Sequence, residues 1–254
     1  MKLTMLILLL LTHSLLMTAQ NNSADHKTAG SSAGSPLKKE PAPFEKAADA
    51  IGNLISIRYR NNHDGINSAA AFNALGALAG FGCQMAIREG FIKPGTMSED
   101  KAFVIFRTTD GQRYFFGDFL NGCLFQEEGK ISVWSLVAGA AQKAGAKQLP
   151  DVEEIVAYNA KTLGSRDFGV PRVPEQYRSS EMPIDVLKKD WPTMQKLLTD
   201  YQVRPTFWGW TVALAAQRLI EKNKDVFDPG MAAKITMEAA LPMSKVDPAT
   251  IGVR

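Results

Sequence analysis

The sequence predicts an α+β fold, mainly α, in which one antiparallel β-hairpin packs against a central Ala/Gly-rich helix. Three observations predict it. Residues 68–87 form twenty consecutive positions without a formal charge, dense in alanine and glycine; a helix apolar on every side is a buried one. Two β-rich runs flank Asp110-Gly111, a pair that readily supplies the positive φ of a hairpin turn. Most of the remaining chain carries apolar residues at three- and four-residue steps, the helical period.

The chain opens with Lys2 and an apolar run from Leu3 to Met17, the layout of a secretory signal. Residues 1–19 are therefore expected to be a signal peptide or an N-terminal anchor. Ala19 is the candidate last residue removed, while Met17, where a small side chain is preferred, leaves the uncleaved anchor open. Residues 20–43 turn to Asn, Ser, Ala, Gly, Lys and Pro without apolar periodicity. Such a composition cannot bury enough surface to offset chain entropy, so a disordered linker is expected there, leading to one globular domain over 44–254. The expected location is exported, periplasmic or extracellular, with membrane contact only through residues 1–19 if they stay uncleaved.

Phe44, Ala47, Ala48, Ile51, Leu54 and Ile55 predict an amphipathic helix over 44–57. Asn61 to Gly65 is a loop by its turn residues, and Asn67 or Ser68 can cap the central helix, which should end near Gly90. Within it, Gly76, Gly80 and Gly82 mimic the spacing of a dinucleotide-binding loop. That loop needs a strand running into a helix N-terminus, whereas the preceding Ala-rich residues already read as helix. Close helix packing is the reading taken.

The hairpin is expected over about 102–117. Residues 117–125 fit a short helix or a third strand equally. Helices follow over 132–144, capped by Ser132, and over 151–163, closed by Gly164. Residues 165–182, with Pro171 and Pro174, form a long loop. A short helix over 191–201 with Pro192 in its first turn, a helix over 205–222 as natural partner of the central helix, and a last helix stopped by Pro242 complete the domain, with a loose tail beyond.

The 29 basic and 26 acidic residues give +3, too little to predict nucleic-acid binding. His13 and His26 fall outside the domain, leaving only His63, so a multi-histidine zinc site is excluded and no cofactor is expected. Cys83 and Cys123, the only cysteines, admit three readings: a disulfide closing a loop of roughly 40 residues, two separate buried thiols, or a nucleophile. In the last, Cys83 or Cys123 acts with His63, oriented by Asp64 or Asp118. Trp208 and Trp210, beside Phe207 and Tyr201, are either core or the wall of an apolar ligand site. The expected work is binding of a protein or small molecule without catalysis; the alternative is a cysteine-dependent hydrolase.

Overall fold

A twenty-residue helix whose every side chain is buried runs through the middle of the domain. In the computed structural model, residues 41–61, 65–125 and 130–253 are described; the expected leader and nearly all of the expected linker lie outside them. Ala42–Arg254 forms one unit by its internal contacts, and it is α+β, mainly α, with a two-stranded antiparallel hairpin against the central helix.

Helix α1, Pro43–Arg58, starts with proline where an N–H is not needed. Glu45 reaches back to accept from the Ala42 N–H at 2.7 Å, and Ala47, Ala48, Ile51 and Ile55 are its buried face. The central helix α2, Ser68–Ile87, is capped by Asn67, whose side chain accepts from Ala70 N–H at 3.1 Å. It runs on into a π-helical turn, Arg88–Ile92. By length and composition this helix is apolar enough to cross a membrane, but here it is sheathed by protein on all sides.

The glycines of α2 are where neighbouring backbones touch it. A Cβ added at Gly76 would lie 2.2 Å from the Thr236 carbonyl oxygen, and one at Gly80 1.9 Å from that of Ala240. At Gly82 the neighbour is Gly209, 3.1 Å away. The stretch is thus a packing seam with no strand leading into it. Its expected partner, α8 (Trp208–Asn223), crosses at Gly82, but α9 (Pro229–Met243) lies along more of its length.

Several expectations are corrected. A helical turn α3, Glu99–Ala102, takes the start of the first expected strand, because Glu99 and Asp100 after Ser98 favour a helix N-terminus. The hairpin is β1 (Val104–Arg107) and β2 (Arg113–Phe116), with Arg107 opposite Arg113. Its turn is longer than the two-residue type: Gly111 N–H donates to Thr108 O at 3.0 Å and only Gly111 takes a positive φ, +85°. This is a β-turn closed by a left-handed glycine.

Residues 118–125 are helix α4 (Asp118–Phe125), with Leu120, Cys123 and Leu124 buried at helical spacing. Helices α5 (Val133–Lys143) and α6 (Val152–Thr162) carry their caps on Ser132 and Asp151. A loop with a 3-10 turn at Glu175–Tyr177 follows.

Helix α7 spans Pro183–Asp200, not 191–201, with Pro192 inside it. Pro192 and Lys188, whose carbonyl loses its donor, are both solvent-exposed residues, a setting in which solvent can replace the lost bond, and the helix continues. Pro242 likewise fails to stop α9, because the ladder resumes with Ser244 N–H donating to Ala240 O at 3.0 Å. Nor is the tail loose. Val246 bridges to Tyr114, Phe115 N–H donates to Lys245 O at 2.9 Å, and Gln84 Nε2 donates to the Ser244 and Val246 carbonyls at 2.8 and 3.0 Å. Arg113 pairs with Asp247 at 2.7 Å, and a 3-10 turn, Pro248–Ile251, closes the chain. The tail is the strip that covers the outer edge of β2.

Candidate aromatic surface

The two cysteines meet. Cys83 Sγ and Cys123 Sγ lie 2.23 Å apart with their Cα atoms at 5.8 Å, linking α2 to α4 across 40 residues. In that state neither sulfur is a thiolate, the species a nucleophile requires. No free cysteine is found among the described residues. His63 and Asp64, the other partners of the hydrolase reading, lie outside the described residues; Asp118 begins α4.

The two tryptophans separate. Trp208 is buried, packs against Trp191 at 6.2 Å between ring centroids, and donates from Nε1 to Val203 O at 3.0 Å. Its role is core. Two residues on, Trp210 stands half-buried at the surface and donates from Nε1 to Cys123 O at 3.1 Å.

Trp210 belongs to one of two neighbouring ring groups, Phe44–Phe207–Trp210 and Phe91–Phe119, contributed by four separate segments. Phe207 lies 5.7 Å from Trp210 and 6.1 Å from Phe44, the first aromatic of α1. Phe119 stands one helical turn before Cys123 and lies 6.3 Å from Phe91 of the π-helical turn. The π-turn returns to the start of the set, since a Cβ at Gly90 would meet Thr206 Cγ2 at 3.2 Å. Phe44 is 38% and Phe119 49% exposed, with the other three partly so. Arg204 covers Phe207, its guanidinium 4.8 Å from the ring centroid. Single exposed apolar residues are ordinary, whereas linked large ones mark an interaction surface.

Sequence reasoning named Trp210 and Phe207 but not Phe44, Phe91 or Phe119. Phe119 was findable: once 118–125 is helix, Leu120, Cys123 and Leu124 define the buried face and Phe119 points off it. Phe44 sits on the stripe of Ala47, Ala48 and Ile51, one turn beyond where the core ends.

The buried ionisable groups are tied into structure. Glu238, 2% exposed, accepts from Arg172 at 2.8 Å. Arg172 also pairs with Glu154 and lies 3.9 Å above the Tyr158 ring. Burial pushes the Glu238 carboxyl above the usual range, and the Arg172 charge opposes that. Glu181 accepts from Arg58, Tyr59 and Lys189, and those donors hold its carboxyl below the usual range against the opposing effect of burial.

An open cavity of about 370 Å³ lies beside Glu154, lined also by Lys147, Asp151, Asp228 and Lys234. Asp151 and Asp228 cap helices and Glu154 holds Arg172, so its carboxylates are already engaged. None of the residues expected to form a site lines it. Among the described residues no group of three His, Cys, Asp or Glu is placed to hold a metal ion.

Fold and surface together define an α+β, mainly α domain with a cysteine pair at disulfide distance and an aromatic face beside it. No protein-family model matches the chain, and neither the curated proteins nor the solved structures include a significant match.

Proposed function

We propose that the chain is an exported binding domain that meets its partner through the aromatic surface around Trp210 and performs no catalysis. The observation that carries this reading is a pair of partly exposed ring groups, Phe44–Phe207–Trp210 and Phe91–Phe119, whose segments meet where Trp210 Nε1 donates to Cys123 O and Gly90 lies against Thr206. Rigid aromatic side chains give large contact area for little lost rotamer entropy, and they dominate binding energy where interfaces have been dissected. Export is supported by the charged and apolar N-terminal layout and by the cysteine pair, which persists in oxidising compartments.

Site-specific photocrosslinking tests it. A benzoylphenylalanine at position 119 of the protein in its own cells should give a discrete adduct, and Phe44→Ser in the same chain should remove it. The same group at Phe168, a ring packed on Tyr114 away from this set, should give none. An adduct undiminished by Phe44→Ser, or no adduct from position 119, contradicts the proposal.

A further inference from the structure

We infer that the occupant of the aromatic surface is the interfacial layer of a lipid bilayer; this rests on the aromatic surface being the binding face. The first argument is where the rest of the chain arrives. Forty residues precede Pro41, and they join the domain three positions before Phe44, whose ring is part of the face. They begin with Lys2 and the apolar run Leu3 to Met17, a layout that a membrane receives. Residues 20–41 can reach at most about 75 Å when fully extended. While the leader is uncleaved and held in a bilayer, the chain leading from it reaches the domain three positions before Phe44.

The second argument is the chemistry of the face. Four phenylalanines and one tryptophan are the side chains that settle at the boundary between headgroups and acyl chains. The Trp210 N–H is already given to Cys123 O, so the face needs no matched acceptor from its partner. A fluid boundary provides none at fixed positions. Within three residues of the rings stand Lys46, Arg88, Lys93 and Arg204 against Glu45, Glu89 and Asp118, and Arg88 is paired with Glu99 at 2.7 Å, so no net positive excess faces outward from them. Attraction is therefore apolar, and anionic lipid is not required. The Cys83–Cys123 link holds α4, which carries the half-exposed Phe119, to α2.

Tryptophan quenching by bilayer lipids reads this directly in the full-length chain. Residues 1–19 contain no tryptophan, and Trp191 and Trp208 are only 0% and 4% exposed. With phosphatidylcholine vesicles whose acyl chains carry bromine, emission should be quenched. Quenching should persist in Trp134→Phe, vanish in Trp210→Phe, and fall at least several-fold in Phe44→Ser/Phe119→Ser. Adding phosphatidylglycerol or raising salt should change it little.

Vesicle-bound protein without quenching, quenching that survives Trp210→Phe, or quenching only with phosphatidylglycerol overturns the inference, as does a wild-type chain that does not bind vesicles. A solution dimer lost in Phe44→Ser/Phe119→Ser would make a second copy the occupant. That result overturns the membrane inference while leaving the aromatic-surface reading standing. Absence of a position-119 adduct in the chain that retains Phe44 removes both.

Discussion

Gly80 of the central helix and Ala240 of the last long helix are in backbone contact: a Cβ on the first would lie 1.9 Å from the carbonyl oxygen of the second. The same relation holds one turn earlier between Gly76 and Thr236 at 2.2 Å. Backbone cannot move aside as the end of a long side chain can, so these glycines set how closely α2 and α9 approach. Their spacing thus reports helix packing, not a phosphate cradle.

The cysteine pair should cost much to remove. In the chain-entropy model a bridge across 40 residues is worth about 4 kcal/mol. Cys83→Ala/Cys123→Ala should lower unfolding stability by roughly that amount in urea titration. Protein made in an oxidising compartment should titrate with no free thiol; two free thiols would reopen the hydrolase reading, which retained activity in His63→Ala would then close.

Arg172 and Glu238 should behave as a coupled buried pair. Arg172→Met alone leaves a carboxylate that is 2% exposed without its cation, at a cost of about 3 to 5 kcal/mol. Adding Glu238→Leu should restore most of it. A double-mutant cycle checks this, and additive losses would contradict it.

Alkaline stability should rise and then fall. Burial lowers the Lys245 ammonium to about 8. Between about pH 8 and its ordinary value the unfolded chain holds a proton that the native chain has lost, so stability rises with pH by up to roughly 3 kcal/mol. Tyr59 runs the other way. Burial and its bond to Glu181 raise it to about 12, so from its ordinary value upward the unfolded chain loses a proton the native chain keeps, and stability falls. In urea titrations across this range, Lys245→Met should flatten the rise and Tyr59→Phe the fall; unchanged profiles would contradict both assignments.

What could be read from the sequence was what a local pattern encodes. The uncharged run at 68–87, the caps at Asn67 and Ser132, and the hairpin about Asp110-Gly111 are periods and end signals, and each stands where expected. Pro192 and Pro242 misled because a proline's effect depends on whether the carbonyl it orphans finds solvent or the ladder resumes. The tail misled because its partners, Tyr114 and Gln84, are more than a hundred residues away. Arg172 and Glu238, 66 residues apart, leave no local trace either. At the aromatic face, Trp210 and Phe207 were visible as neighbours in sequence, whereas Phe44, Phe91 and Phe119 join them only through the fold.

The central claim is that the small residues of α2 exist for fit, and one pair of urea titrations tests it most directly. Gly139 lies on the exposed side of α5 with nothing within 4 Å of an added Cβ, so Gly139→Ala should stabilise by about 0.5 to 1 kcal/mol. Gly80→Ala, the same change by composition and helix propensity, should destabilise by about 3 kcal/mol or more. A Gly80→Ala chain as stable as Gly139→Ala would contradict the seam and the arrangement of helices built on it.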